Sequence, residues 1–189
     1  ELMRRWVATR KPLAKVKDEL DRINPLADTL FQGANGYYRR GDYDDAIAQL
    51  RQALSVNPNH LKARLLLGEG YREQGKLDES RQALARELAL RPDDAAARQR
   101  LAAVLELQGK PDEALGELRQ VLRLRPDHAQ ARYLYGKILL AQGAAEQAAE
   151  QLEAAARVAP KDANIHYQLG RAYQALGRAD AARKEFEVF

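Results

Sequence analysis

The residues that could do chemistry are few. Three histidines, His60, His128 and His166, are the imidazoles of this 189-residue chain, and it contains no cysteine. Without cysteine there are no disulfides, no thiolate nucleophile and no thiolate-bound zinc or iron–sulfur cluster. His60 and His128 recur at equivalent places of a repeat described below, two repeats apart, too distant to share one metal ion. They read as packing or loop residues, and His166 reads as a core residue of a helix. No histidine has the serine and acid context of a nucleophilic triad. The carboxylates sit on solvated helix faces or at helix starts, so no pair stands out for general acid–base work. Residues 70–77, Gly-Tyr-Arg-Glu-Gln-Gly-Lys-Leu, mimic a phosphate-binding loop. Leu77 stands where a magnesium-binding Ser or Thr is required, and no strand precedes the glycine. The expectation is a chain that is not an enzyme, has no small-molecule substrate and needs no metal or other cofactor.

The elements around these residues are helical. Alanine (34) and leucine (28) supply about a third of the chain, whereas valine, isoleucine and threonine together number 13. Strands draw on β-branched and aromatic side chains, so this composition excludes a sheet-based fold and predicts an all-α one. Charged residues make up 31 % with mixed sign, and no apolar run is long enough to span a bilayer. The net charge of +4 is too small to call for nucleic acid or a membrane surface as partner. The chain starts at Glu1 and shows no secretory signal pattern. A cytoplasmic protein is expected, with the periplasm left open.

The organisation is a repeat of 34 residues. Glycine recurs at Gly41, Gly75, Gly109, Gly143 and Gly177, and proline at Pro58, Pro92, Pro126 and Pro160. Small residues recur at Ala34, Gly68, Ala102, Gly136 and Gly170, and again at Ala46, Ser80, Ala114, Ala148 and Ala182. Four residues after the second series stand Leu50, Leu84, Leu118, Leu152 and Phe186. With repeats numbered from Ala27, Leu61, Ala95, Ala129 and Ala163, each series has a physical cause. Apolar or aromatic residues near positions 4, 7, 8 and 11, such as Leu67, Tyr71, Leu101 and Leu105, form one stripe of a first helix, A. The glycine at position 15 supplies a left-handed residue just past its end. An acid at position 18 (Asp44, Asp78, Asp112, Glu146, Asp180) meets the free N–H groups at the start of a second helix, B. Small residues at positions 8 and 20 let A and B approach closely. The proline at position 32 ends helix B. Each hairpin leaves an apolar face that its neighbour must cover, so stability adds up repeat by repeat.

This pattern resembles the tetratricopeptide repeat (TPR) family, carried by Leu65–Pro92 and Tyr133–Pro160 and extending over residues 27–189. The resemblance implies a right-handed α-solenoid of helix-turn-helix hairpins at 27–60, 61–94, 95–128, 129–162 and an incomplete 163–189. It also implies a concave face lined by positions 2, 5, 6, 9, 12 and 13 of helices A. On that face it places Phe31, Asn35, Tyr38, Leu65, Leu66, Glu69, Arg100, Tyr133, Leu134, Lys137, Tyr167 and Arg171, an apolar row with a basic trio (Arg100, Lys137, Arg171) in its C-terminal half. The family's two-carboxylate clamp for chaperone tails maps to Phe31, Asn35, Leu66, Ala96 and Arg100, of which two match. An asparagine ladder at position 6 is absent. The chain departs from the family at position 4, where the usual Trp is Leu30, Arg64, Arg98, Arg132 and His166, and at position 27, where Glu87 replaces a small residue. A solvated ion pair of Glu87 with Arg91, four residues on, is expected.

Residues 1–26 lie out of register and carry seven Lys/Arg against four acids. Leu13, Val16, Leu20 and Ile23 predict a helix after Pro12, read as a cap over repeat 1, a linker or a basic patch. Repeat 5 stops at Phe189, which leaves Phe186 and Phe189 at an open end and suggests an excised piece or homo-oligomer contacts through open ends. The function expected is a non-catalytic module that binds a protein or peptide segment in the concave groove, with some acidic character facing the basic trio. The alternatives are a sensor arm of a larger signalling protein, such as a STAND-type ATPase, and a self-associating scaffold.

Overall fold

A computed structural model describes residues 13–188, with the side chains of residues 13–24 and of Leu61 left undescribed. Among the described residues there are ten helices and no strand. They are α1 (Leu13–Arg40), α2 (Tyr43–Val56), α3 (Leu61–Glu73), α4 (Leu77–Leu90), α5 (Ala95–Leu107), α6 (Pro111–Leu124), α7 (Ala129–Ala141), α8 (Ala145–Val158), α9 (Ala163–Ala175) and α10 (Ala179–Val188). Odd-numbered helices are helices A and even-numbered ones helices B. The chain divides into two compact units, Glu1–Ala83 and Leu84–Phe189, and the boundary falls within α4.

The turns are built as the repeat predicts. Gly41, Gly75, Gly109, Gly143 and Gly177 take φ between +70° and +84°, and no other described residue has positive φ. Helices B begin with the predicted acids in their first turns. These acids also reach beyond their own helix: Gln74 Nε2 donates to Asp44 Oδ1 (2.7 Å), and Gln142 Nε2 to Asp112 Oδ1 (3.0 Å). The residue before the recurring proline is extended, as at Asn57 (φ −127°, ψ 93°), so helix B stops two residues short of the ring.

Close approach of A to B is equally visible. A Cβ at Gly136 would lie 2.6 Å from Leu152 Cγ and 3.1 Å from the Ala148 carbonyl, and one at Gly170 would lie 2.6 Å from the Phe186 ring. The large residues opposite (Leu50, Leu84, Leu118, Leu152) are at most 1 % exposed. In the first unit Ala34, Ile47, Leu50, Ala53, Ala63, Leu67, Tyr71 and Ala83 form one apolar cluster. In the second unit helix A lies against helix B within each of the hairpins α5–α6, α7–α8 and α9–α10. Helices α7 and α9 also pack on the helix B before them, α6 and α8 respectively.

The helix predicted after Pro12 is present and is continuous with helix A of repeat 1: α1 runs unbroken from Leu13 across Pro25 and Ala27 to Arg40. Later helices A are preceded by a proline and a capping residue, but the matching positions here are Asn24 and Leu26, which carry no stop signal. Residues 1–12 lie outside the described residues, as does Phe189. One expectation needs correcting: Glu87 is not solvated. Its carboxylate pairs with Arg91 as expected, yet it is 0 % exposed, in the slot that Ala53, Val121 and Ala155 fill in other repeats.

Candidate functional site

The helices A stand side by side, α1 beside α3 in the first unit and α5, α7 and α9 in succession in the second. In the first unit most predicted groove residues are half engaged in packing. Phe31 and Leu66 pack on the apolar cluster, and the Phe31 ring lies 5.2 Å from the His60 ring. Tyr38 meets Tyr43 edge-on at 5.4 Å. Burial, and after it the nearby Glu69 and Glu73 carboxylates, raises the Tyr38 phenol above its ordinary value of 10.0. Asn35, Leu65 and Glu69 are half-buried on the same face.

In the second unit the face is more open. Tyr167 is 41 % exposed, and Tyr133 is half-buried in register one repeat earlier. The Tyr167 ring leans on Phe186 of α10 at 6.0 Å. Leu134, expected in the groove, is 6 % exposed and belongs to the core. At the same position 6, Gln168 is also buried (8 % exposed), Leu66 and Arg100 are half-buried and Gln32 is exposed. The basic trio is largely compensated. Lys137 Nζ lies 3.2 Å from Glu106 Oε1 across α7 and α5. Arg100 donates to the Ala96 carbonyl (3.3 Å) and Arg171 to Gln168 Oε1 (3.3 Å). Arg171 is exposed and carries the most accessible charge of the three. Leu107, at position 13 of α5, is 57 % exposed and adds an apolar contact that the sequence reading passed over. Its position was in the pattern, but the row was followed through positions 5, 6, 9 and 12 alone.

The other side of helices A is tied down by polar contacts. Position 34 caps the next helix A. The His60 and His128 Nδ1 atoms accept from the amides of Ala63 (3.1 Å) and Ala131 (3.2 Å), Asp94 accepts from Ala96 and Ala97, and Asp162 from Asn164. His60 also contacts Asp28 through Nε2 (2.9 Å). At position 4, Arg98 donates to the Pro92 carbonyl (3.0 Å) and to Glu117 (2.6 Å), and Arg132 to the Pro126 carbonyl (2.8 Å) and Gln151 (2.8 Å). Position 25 of one repeat meets a tyrosine of the next: Arg51 donates to the Tyr71 hydroxyl, Arg119 to that of Tyr135, and the Tyr173 hydroxyl donates to Glu153. Burial and the Glu153 carboxylate push the Tyr173 phenol up to about 12. Among the described residues no group of three acids and histidines gathers where it could hold a metal ion, and no helix is long and apolar enough to cross a membrane.

Family models described as tetratricopeptide repeat match residues 31–95, 74–138, 105–166 and 139–188. No curated protein matches the chain in sequence. Among solved structures, MamA from Desulfovibrio magneticus RS-1 is similar at a TM-score of 0.75 and 23 % identity, over 86 % of this chain and 92 % of that one. PilF from Pseudomonas aeruginosa is similar at a TM-score of 0.81 and 20 % identity, over 88 % of this chain and 76 % of that one. These likenesses concern the fold. With its turns, close helix contacts and repeat spacing all accounted for by the same 34-residue pattern, the chain belongs to the tetratricopeptide repeat family.

Proposed function

We propose that this chain is a protein-interaction module that holds a segment of another protein on the face formed by α5, α7 and α9. The observation that carries this reading is the pair Tyr133 and Tyr167, in register on adjacent helices A, with Tyr167 41 % exposed on a rigid helix. Aromatic side chains on a pre-formed surface give large contact area at low ordering cost, which is the pattern of energetic hot spots. Because Glu106 engages Lys137, an acidic group of the partner is expected beside Arg171 at the α9 end. Charge there steers encounter more than it adds affinity.

The test is capture by the whole chain, with bound protein identified by mass spectrometry, compared with a Tyr133→Ala/Tyr167→Ala double variant. Loss of about 2 kcal/mol per hot-spot ring corresponds to an affinity drop on the order of thirtyfold for each. The double variant should lose its partner while far-ultraviolet circular dichroism stays unchanged. A partner retained at full strength would move the binding surface off these helices.

A further inference from the structure

Position 4 of helix A acts as a fastener, and its chemistry changes in the last repeat. In repeats 3 and 4 a guanidinium donates both to the carbonyl of the preceding loop proline and to an acceptor on helix B of its own hairpin. In repeat 5 the residue is His166. Its Nε2 lies 3.0 Å from the Pro160 carbonyl oxygen, and its Nδ1 lies 2.6 Å from Glu185 Oε2 on α10. A carbonyl and a carboxylate are acceptors only. Both contacts are therefore hydrogen bonds only when both ring nitrogens carry hydrogen, that is, in the imidazolium. The side chain is 11 % exposed, so water does not readily replace a lost partner.

We propose that His166 is a proton-operated latch on the terminal hairpin, in which the imidazolium ties α10 to the loop before α9 and its deprotonation releases one of the two ties. The charged groups facing the ring are Glu185 from α10 and Asp162 from the cap of α9. From α8, Glu153 is engaged by the Tyr173 hydroxyl two turns further along α9. The hydrogen bond to Glu185 raises the ring above its ordinary value of 6.5, desolvation opposes this, and the Pro160 carbonyl adds to the rise. A raised histidine stabilises the fold fully below its unfolded value and loses that contribution as pH climbs through the folded one. The window therefore opens above 6.5. Because Glu185 adjoins Phe186, whose ring fills the notch at Gly170 and touches Tyr167, loosening α10 also frees the exposed tyrosine.

The experiment is hydrogen exchange of the α10 amides in the whole chain, corrected for intrinsic rates, between about pH 5.5 and pH 8.5. In the native chain, protection of α10 should fall by about tenfold across the window, the effect of losing a charge-assisted hydrogen bond. His166→Arg should keep protection level, because the guanidinium does not titrate. Glu185→Gln should abolish the step or move it toward lower pH, and it reads the latch even if the arginine does not fit. Site resolution separates this signal from His60 and His128, which lie at the caps of α3 and α7. A native α10 without a pH step, or an unchanged step in both variants, overturns the proposal.

Discussion

Replacing glycine by alanine inside a helix should have opposite effects at two positions of the second unit. Gly116 lies within α6 and a Cβ there would meet nothing within 4 Å. Its replacement gains only helix propensity and a less disordered unfolded chain, which stabilises by about 0.5–1 kcal/mol. Gly136 lies within α7 and gains the same amount, but the new methyl carbon would sit 2.6 Å from Leu152 Cγ and 3.1 Å from the Ala148 carbonyl. Ordinary carbon–carbon contact is about 3.5–4.0 Å, so about 1 Å of overlap must be absorbed. Leu152 is 0 % exposed and the carbonyl is helix backbone, so neither can yield without displacing α8. Overpacking of this kind costs about 1–3 kcal/mol, occasionally more. The net effect at Gly136 is then a loss of up to roughly 2.5 kcal/mol, with its lower bound near zero.

Thermal and urea unfolding of both variants would measure this. A loss of 1 kcal/mol should lower the midpoint by about 2–4 °C in a domain of this size. Gly136→Ala should therefore melt several degrees below the parent and Gly116→Ala slightly above it. Gly136→Ala as stable as Gly116→Ala would show that A and B do not meet where the repeat of small residues requires. Gly116→Ala destabilised to the same degree would show that the cost is unrelated to packing.

Three further outcomes follow from the turns, the caps and the face. Gly109→Ala forces a side chain to φ +70° and should destabilise by about 1–2 kcal/mol, read as a lower urea midpoint. Asp94→Ala removes two hydrogen bonds to the first turn of α5 and should cost about 1 kcal/mol. Asp94→His, the residue found at the same place in repeats 1 and 3, should recover part of this near neutral pH and lose it in acid, where Nδ1 ceases to accept. Arg171→Glu should slow partner association and invert its salt dependence, measured by surface capture at two ionic strengths, without altering helix content.

The apolar half of the fold was legible because each recurring residue type has a single geometric cause. Glycine at position 15 is required by positive φ, and a small residue at position 8 by a leucine or phenylalanine lying across it. The polar half was not legible because several residue types can serve one contact. At position 34 an aspartate oxygen and an imidazole nitrogen both accept from a helix N-terminus, so His60 and His128 passed as loop residues although they are caps. Leu134 was misplaced for a related reason: burial at position 6 does not follow residue type, since Leu134 and Gln168 are buried while Leu66 and Arg100 are half-buried and Gln32 is exposed. The helix after Pro12 was legible from its apolar stripe; its continuity with helix A of repeat 1 was not, because a repeat register marks equivalent residues, whereas a helix continues until local chemistry ends it.

Position 4 joins these observations into one argument. A large aromatic residue there, usual in the family, would secure the hairpin by filling space. Here Arg98 and Arg132 secure it by direction, each linking a proline carbonyl to helix B, with the Arg98 and Glu117 side chains only 20 % and 26 % exposed. Such a fastener adds little net stability over an apolar residue of similar size, because desolvation offsets the attraction. Removing one partner is costly, however, since the other stays sheltered and charged. Arg98→Ala should therefore destabilise more than Arg98→Ala combined with Glu117→Ala, a coupling that a double-mutant cycle measures directly. A purely additive cycle would mean that the contact is incidental, and that the hairpin is held by the apolar stripe alone.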